Sequence, residues 1–394
     1  MSSGKITYSK RNRQNFSQAT EVALVKSGDH FFKKALEIIE RSEKTLHFQT
    51  YIYINDSTGK LITDALTKAV KRGVKVFLLV DAFGSNDLGN QAIEEIIKSG
   101  IHFRRFSPLF YNYMIRFGRR LHHKILLGDE KEALIGGINV EDKYRIEGPE
   151  TPWLDYAVYV KGSVCLNIKN ICESLWKGKG YRIQRKKIID SLTHSNLNGD
   201  TIPVKVSQND WLRRKERISK GLRNAIRHSH ISVTIMASYF LPSNNARKLL
   251  RKASERDVKV RVILPGISDV KLAKKATTYL YAWMFRHNIE IYEWNNTILH
   301  GKVNIVDDKW TSIGSYNINH LSHYSSVETN IEVFEASFCK VVKKELDHVI
   351  TRCHKVTYSE YLEKMNTWQQ FTCWCAFYFT RFLFWLEYAL LSNE

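Results

Sequence analysis

The strongest constraint on how this chain can fold is a repetition. His122-x-Lys124, with Asp129 after four intervening residues, recurs as His300-x-Lys302 with Asp307. Each copy then enters a glycine turn ending in asparagine, Gly136-Gly137-Ile138-Asn139 and Gly314-Ser315-Tyr316-Asn317, and matching positions lie 178 residues apart throughout. Repetition at a fixed offset marks a duplicated structural unit, so the chain should fold as two related halves.

Hydrophobic periodicity repeats as well. Residues 31–41 place Phe32, Ala35, Leu36 and Ile39 on one helical face, 46–52 read as a strand, 61–71 as a second helix and 74–80 as a β-rich run. The second half follows with helix 218–228, strand 231–236, helix 246–255 and strand 258–264. This alternation predicts an α/β fold with parallel strands joined by crossover helices. Arg256-Asp257-Val258-Lys259-Val260 matches Arg72-Gly73-Val74-Lys75-Val76 at an offset of 184, so a loop differing by six residues lies between this strand and the motif.

The expected divisions are a polar basic segment 1–24, a first half 25–187, a linker 188–206, a second half 207–356 and an aromatic C-terminal segment 357–394. The linker is approached through Lys177, Lys179, Arg182, Arg185, Lys186 and Lys187. A length of 394 residues suits two domains or one large pseudo-symmetric one. With 43% hydrophobic and 25% charged residues, disorder is excluded as the general state.

A formal net charge of +20 points to a polyanionic partner, either nucleic acid or an anionic membrane leaflet. The cysteines at 165, 172, 339, 353, 373 and 375 form neither a secreted disulfide framework nor a zinc pattern, which suits a reducing compartment. Residues 1–16 lack the apolar core of a secretory signal. The C-terminal segment carries Trp368, Phe371, Trp374, Phe377, Tyr378, Phe379, Phe382, Trp385 and Tyr388, interrupted by Arg381 and Glu387. Trp and Tyr prefer the headgroup region, and a central Arg costs about 2.5–3.5 kcal/mol on insertion. A helix lying in the interface is therefore expected, ahead of a helix packed on the protein's own core or a true span.

In a strand, residues i and i+2 share a side, so His122 and Lys124 should project together, as should His300 and Lys302. Two imidazoles and two ammonium groups brought together form a site for a phosphodiester. The lysines neutralise the non-bridging oxygens. One histidine attacks phosphorus, and the other protonates the leaving alkoxide and later deprotonates the incoming hydroxyl. This chemistry requires no metal or other cofactor. A lone His-x-Lys would mean little; two copies with matching turns carry the inference.

Through these residues the chain resembles the phospholipase D superfamily, whose signature is this duplicated motif, over about residues 25–355. The resemblance implies two pseudo-symmetric phospholipase D-like halves, each a mostly parallel or mixed sheet flanked by helices, with the active site at their interface. It further implies His122 as nucleophile and His300 as general acid/base. Asp129 and Asp307 would hold the motif strand and turn, and Asn139 and Asn317, with Gly137 and Ser315 of the same turns, would bind phosphate. Within the superfamily the chain is most similar to bacterial cardiolipin synthases of the short type without N-terminal transmembrane helices. The residues concerned are Leu121-His122-His123-Lys124-Ile125, Pro152-Trp153-Leu154-Asp155, Tyr239-Phe240-Leu241-Pro242 and Leu299-His300-Gly301-Lys302-Val303. In such enzymes a carboxylate beyond each motif orients a catalytic histidine. The matching positions are Asp155 and Glu328, and which serves which histidine is left open. Ser326-Val327-Glu328 departs from the family's frequent Asn-x-Glu, and His123 has no assigned role.

Superfamily members include nucleases, so the fold alone leaves the substrate open. Residues 103–120 interleave Phe103, Phe106, Phe110, Tyr111 and Tyr113 with Arg104, Arg105, Arg116, Arg119 and Arg120. That composition suits rings among acyl chains and guanidiniums on lipid phosphates, and also base stacking. Residues 279–286 repeat the aromatic emphasis with few charges. Together with the C-terminal segment these regions favour an anionic phospholipid over nucleic acid. The reaction implied is phosphatidyl transfer from phosphatidylglycerol, or phosphatidylethanolamine, to a second phosphatidylglycerol. The place implied is the cytoplasmic side of a bacterial inner membrane, peripherally or monotopically bound. A phosphodiesterase or nuclease using the same histidines is the alternative.

Overall fold

The computed structural model describes residues 16–107, 110–111, 114–115, 119–146, 148, 151–178, 201–210, 213, 215–319 and 326–392. Most of the expected linker, and parts of the arginine- and aromatic-rich approach to the first motif, lie outside the described residues.

Two mixed sheets carry the same strand order. In the first half it runs Glu21–Lys26, Tyr156–Lys161, Glu132–Gly136, Lys124–Gly128, Thr45–Thr50, Lys75–Asp81, His102–Phe106. In the second it runs Ile202–Asp210, Ser326–Val333, Trp310–Gly314, Val303–Val306, Ser232–Met236, Lys259–Pro265, Glu290–Trp294. The parallel pairing predicted from the βαβ rhythm holds for the last three strands of each set. The motif strands run antiparallel to both neighbours, and on one side this follows from the tight turn, rather than a helix, that joins each to the next strand.

Alternation along the strands assigns each face. Ile125 and Leu127 face a core shared by both halves, while Leu126 faces the first half's own helices. The shared core also receives Ile168 and Cys172 from the helix Val164–Trp176 and Val342 and Leu346 from Ala336–Thr351. The outer faces are covered by Asp29–Arg41, Ser57–Lys71 and Asn90–Lys98 in one half, and by Arg217–Arg227, Asn244–Ser254 and Lys271–Tyr279 in the other. Burying the inner faces of both sheets in one core fixes the halves against each other.

Two expected boundaries fall inside elements. The strand Glu21–Lys26 crosses residue 24, and Ser17–Ala19 just before it pairs with Ile202–Asp210 of the other sheet. That second strand begins within the expected linker. At the C-terminus, the helix Thr367–Ser392 buries Cys373, Ala376, Phe377 and Thr380 against the second half, with the Phe377 ring 4.8 Å from Tyr279. Its other face leaves Trp368, Phe371, Trp374, Tyr378, Phe379 and Phe382 exposed. No helix among the described residues is long and apolar enough to cross a membrane.

Candidate active site

The histidines lie just ahead of the strands expected to contain them, which begin at Lys124 and Val303. The reason is that the preceding backbone pairs with the opposite half. Arg120–Leu121 runs parallel to Ser326 and Val327 at the start of Ser326–Val333, and His122 N–H donates to Val327 O. Leu154 bridges in parallel to Leu299, and both His300 N–H and Gly301 N–H donate to Leu154 O. These two pairings are the same contact made twice, once from each half.

Each pairing delivers a carboxylate to the other half's histidine. His122 Nδ1 lies 3.0 Å from Glu328 Oε1 and 3.1 Å from Oε2. His300 Nδ1 lies 2.6 Å from Asp155 Oδ2. Ionised carboxylates only accept, so Nδ1 of His122 carries the hydrogen and Nε2 presents its lone pair; His300 Nδ1 also has Lys302 Nζ at 2.8 Å, and the shorter Asp155 contact assigns its hydrogen to Nδ1 as well. The imidazole of His300 is 8% exposed and that of His122 18%, while both carboxylates are fully buried. His122 is thus the more accessible of the two.

The turn residues shape these pairs. A Cβ on Gly137 would stand 2.5 Å from both Asp155 oxygens, so glycine leaves room for the carboxylate. Its counterpart Ser315 uses the equivalent space to donate Oγ–H to Glu328 Oε2 and to accept from Thr329 N–H. Asn139 accepts from Ile52 N–H and donates to Tyr144 Oη, and Asn317 accepts from Ser238 Oγ. Asp129 accepts from the N–H groups of Glu43, Lys44 and Thr45, each at 2.8 Å, and Asp307 from those of His230, Ile231 and Ser232 at 2.7–2.9 Å. Both aspartates sit in left-handed turns, φ 49° and 53°, remote from the histidines they follow in sequence.

Positive charge crowds the buried centre. Lys124 Nζ donates to His122 O and Lys302 Nζ to His300 O. Burial, helped by the other lysine, lowers Lys124 to about 7; burial lowers Lys302 to about 8, against the pull of Asp155 and Glu328. His122 and His300 are both pushed down by burial and by both lysines. Asp155 is raised to about 6 by burial, which Lys302 opposes. Each lysine therefore acts on the other half's histidine, as one joint site requires.

Several participants had no role assigned from the motifs. Tyr144 Oη lies 3.2 Å from His300 Nδ1, and the rings of Trp153 and Tyr144 flank His300 at 6.0 and 5.5 Å. Tyr51 packs against His122 at 4.9 Å with Lys124 Nζ over its face. Asp81 is fully buried and accepts Leu121 N–H at 2.8 Å, fixing the segment that presents His122. His123 joins the sheets, with Nε2 2.9 Å from Gln49 Oε1 and Nδ1 3.1 Å from Thr329 Oγ1. These residues have no counterpart at the repeat offset, so the repeat carried no sign of them.

Two His/Lys pairs, each completed by a carboxylate from the opposite copy of a duplicated α/β unit, define an enzyme of the phospholipase D type. The family model described as cardiolipin synthase, PLD-like domain, matches residues 35–147 and 222–350, and the chain belongs to that family, a phospholipase D-type phosphatidyltransferase. Cardiolipin synthase B of Salmonella typhimurium is 28% identical over 367 residues, covering 92% of this chain and 88% of that protein. The crystal structure of phosphatidylserine synthase from Haemophilus influenzae superposes with a TM-score of 0.71 at 15% identity, over 95% of this chain and 97% of that one. Polyphosphate kinase from Porphyromonas gingivalis superposes with a TM-score of 0.55 at 15% identity, over 84% of this chain and 50% of that one. A fold shared by proteins so named does not select a substrate.

Proposed function

We propose that the chain makes cardiolipin from two molecules of phosphatidylglycerol at the cytoplasmic face of a bacterial inner membrane, releasing glycerol. His122 Nε2 attacks phosphorus and forms a P–N bond. The P–O bond to the glycerol headgroup breaks, and His300 gives its Nε2 proton to the departing alkoxide. In the second step His300 takes a proton from the headgroup hydroxyl of the second phosphatidylglycerol. That oxygen attacks phosphorus, the P–N bond breaks, and His122 is restored. One phosphodiester replaces another, so no nucleotide is consumed.

The observation that carries this reading is the crosswise pairing of His122 with Glu328 and His300 with Asp155. It supplies one imidazole ready to attack and a second whose proton affinity depends on an incoming anion. Burial and the lysines disfavour the charged form of His300. A bound phosphodiester adds the negative charge that favours it, so the general acid is charged when substrate is present. Lys124 and Lys302 would stabilise the non-bridging oxygens, and Asn317, its Oδ1 held by Ser238, offers its amide hydrogens to phosphate. The exposed aromatic face of the C-terminal helix suits an interfacial enzyme.

Purified protein incubated with phosphatidylglycerol vesicles should yield cardiolipin and glycerol by mass spectrometry. Phosphatidic acid as the main product would instead indicate hydrolysis. Degradation of single-stranded DNA in a parallel incubation, with the lipid unchanged, would replace the reading with a nuclease.

A further inference from the structure

The C-terminal helix leaves a basic hollow at its base that the reaction does not use. The hollow, about 270 Å³, is lined by Arg247, Arg286, Trp283, Tyr279 and Gln370. A second hollow of about 360 Å³, lined by Lys248, Arg251 and the same Arg247 and Trp283, adjoins it. Arg247 is half-buried with its guanidinium 5.9 Å from the Trp283 ring, and its hydrogen-bond acceptor is the neutral Asn244. Burial and the like charge of Arg381 on the C-terminal helix both weaken its hold on its proton. Among the described residues, none of Arg247, Lys248, Arg286 and Arg381 forms an ion pair with a carboxylate. A half-buried guanidinium crowded by cations rather than acids is costly unless an anion completes it.

The surroundings indicate which anion. Trp374, Tyr378, Phe379 and Phe382 stand exposed on the adjoining helix. At the other end of the supporting helix Lys271–Tyr279, the exposed Ile267, Val270 and Leu272 flank Asp269, whose carboxylate accepts from Tyr239 and whose charge is felt by His300 and Lys302. Apolar groups thus run from beside the catalytic centre to the basic hollow, and a soluble anion would leave them uncovered.

We propose that Arg247 and Arg286, with Trp283 beside Arg247, form a second, non-catalytic site for the phosphate of an anionic phospholipid, which seats the C-terminal helix in the bilayer surface. The proposal deepens the lipid reading above by naming the membrane contact. The lipid's phosphate lies on the guanidiniums, and the exposed rings beside it enter the headgroup layer.

The test is co-sedimentation of the full chain, wild type and R247Q/R286Q, with vesicles of phosphatidylglycerol and phosphatidylcholine and with vesicles of phosphatidylcholine alone. Turnover of short-chain phosphatidylglycerol below its micelle concentration is measured alongside, and melting temperature reports folding. The double variant should bind anionic vesicles on the order of 25-fold more weakly, roughly fivefold per charge removed. Its binding to neutral vesicles and its turnover of the soluble lipid should stay at wild-type levels. Should it fail to fold, R286Q alone, at an exposed position, should show roughly fivefold weakening. Unchanged binding to anionic vesicles, or equal weakening on both vesicle types, overturns the site. Lost turnover of soluble lipid overturns its non-catalytic character. If the wild type turns over no phosphatidylglycerol in either form, the reaction assignment fails, while vesicle binding still decides the site.

Discussion

Asp155, just ahead of the strand Tyr156–Lys161 in the first half, holds His300 of the second half at 2.6 Å through Nδ1. Glu328 returns the contact to His122, so neither half contains a complete histidine–carboxylate pair. The two carboxylates should therefore be separable by leaving group. Asp155→Asn removes support from the acid, and should slow transfer from phosphatidylglycerol on the order of 100- to 1000-fold while sparing the first-turnover burst of p-nitrophenolate from a p-nitrophenyl phosphodiester, whose leaving group needs no proton. Glu328→Gln should slow both substrates alike, and His122→Ala should abolish both. Rates on the two substrates for each variant check this, and the opposite pattern would exchange the histidines' roles.

The lysines set a basic limit. Burial lowers Lys124 to about 7 and Lys302 to about 8, whereas a phosphodiester stays anionic across this range. As pH rises from 7 to 9 the ammonium charges are lost, so kcat/KM should fall, up to tenfold per unit for each lysine once above its pKa. An ordinary lysine would place this limb near 10.5. A pH profile of kcat/KM that is flat from 7 to 9 would show that the lysine charges do not act on the free enzyme's rate.

The two turns should respond differently to a methyl group. Gly137→Ala places Cβ 2.5 Å from the Asp155 oxygens and should displace the carboxylate from His300, lowering kcat at least tenfold. Ser315→Ala removes a hydrogen bond to buried Glu328, costing about 1.5–3 kcal/mol of stability with a smaller loss of rate. Paired measurements of kcat and urea midpoint distinguish the two outcomes.

Asp129 and Asp307 anchor backbone rather than substrate. Asp129→Ala frees three N–H groups, two of them at exposed positions, and should cost about 2 kcal/mol with kcat preserved in the folded fraction. Burial raises the Asp129 carboxyl, but its three backbone donors outweigh this and leave it lowered. A lowered acid contributes stability above its unfolded pKa and loses it as pH falls, so the wild-type advantage over Asp129→Ala should shrink below about pH 4. Urea unfolding of both proteins from pH 7 to 3 measures it.

His123 is fully buried, and burial, with Lys124 beside it, lowers its pKa to about 3. Between pH 3 and 6.5 the unfolded chain binds this proton and the folded chain does not. Stability therefore rises with pH across that window, by about 1.4 kcal/mol per unit from this group alone. His123→Gln should flatten that slope without altering the pH dependence of kcat/KM above 7. His123→Leu strands Gln49 and Thr329 and should destabilise by about 1–3 kcal/mol at neutral pH.

The motif repeat and the helix and strand periods were legible because both are local patterns in the chain. Helix 218–228 and strand 258–264 differ from the folded Arg217–Arg227 and Lys259–Pro265 by one residue at each end. The motif strands begin two residues after His122 and three after His300, because the His122 N–H is taken by Val327 and the His300 N–H by Leu154 rather than by the sheet each motif belongs to. Ser315 and Gly137 carried the signature of phosphate turns, yet each adjoins a carboxylate that orients a histidine. The C-terminal helix packs one face on the second half, which is the expected form that covers the protein's own core, and leaves its other face exposed.

By itself the sequence determined that there are two halves and which residue types each supplies, since covalent order carries both. Tertiary structure alone decided which carboxylate meets which histidine, and that His123 ties the sheets while Tyr144 and Asp81 brace the centre. Those partners lie 40 to 206 residues apart in every case but Tyr144 and its asparagine. Such contacts follow from packing two inner sheet faces into one core, a condition no local period encodes.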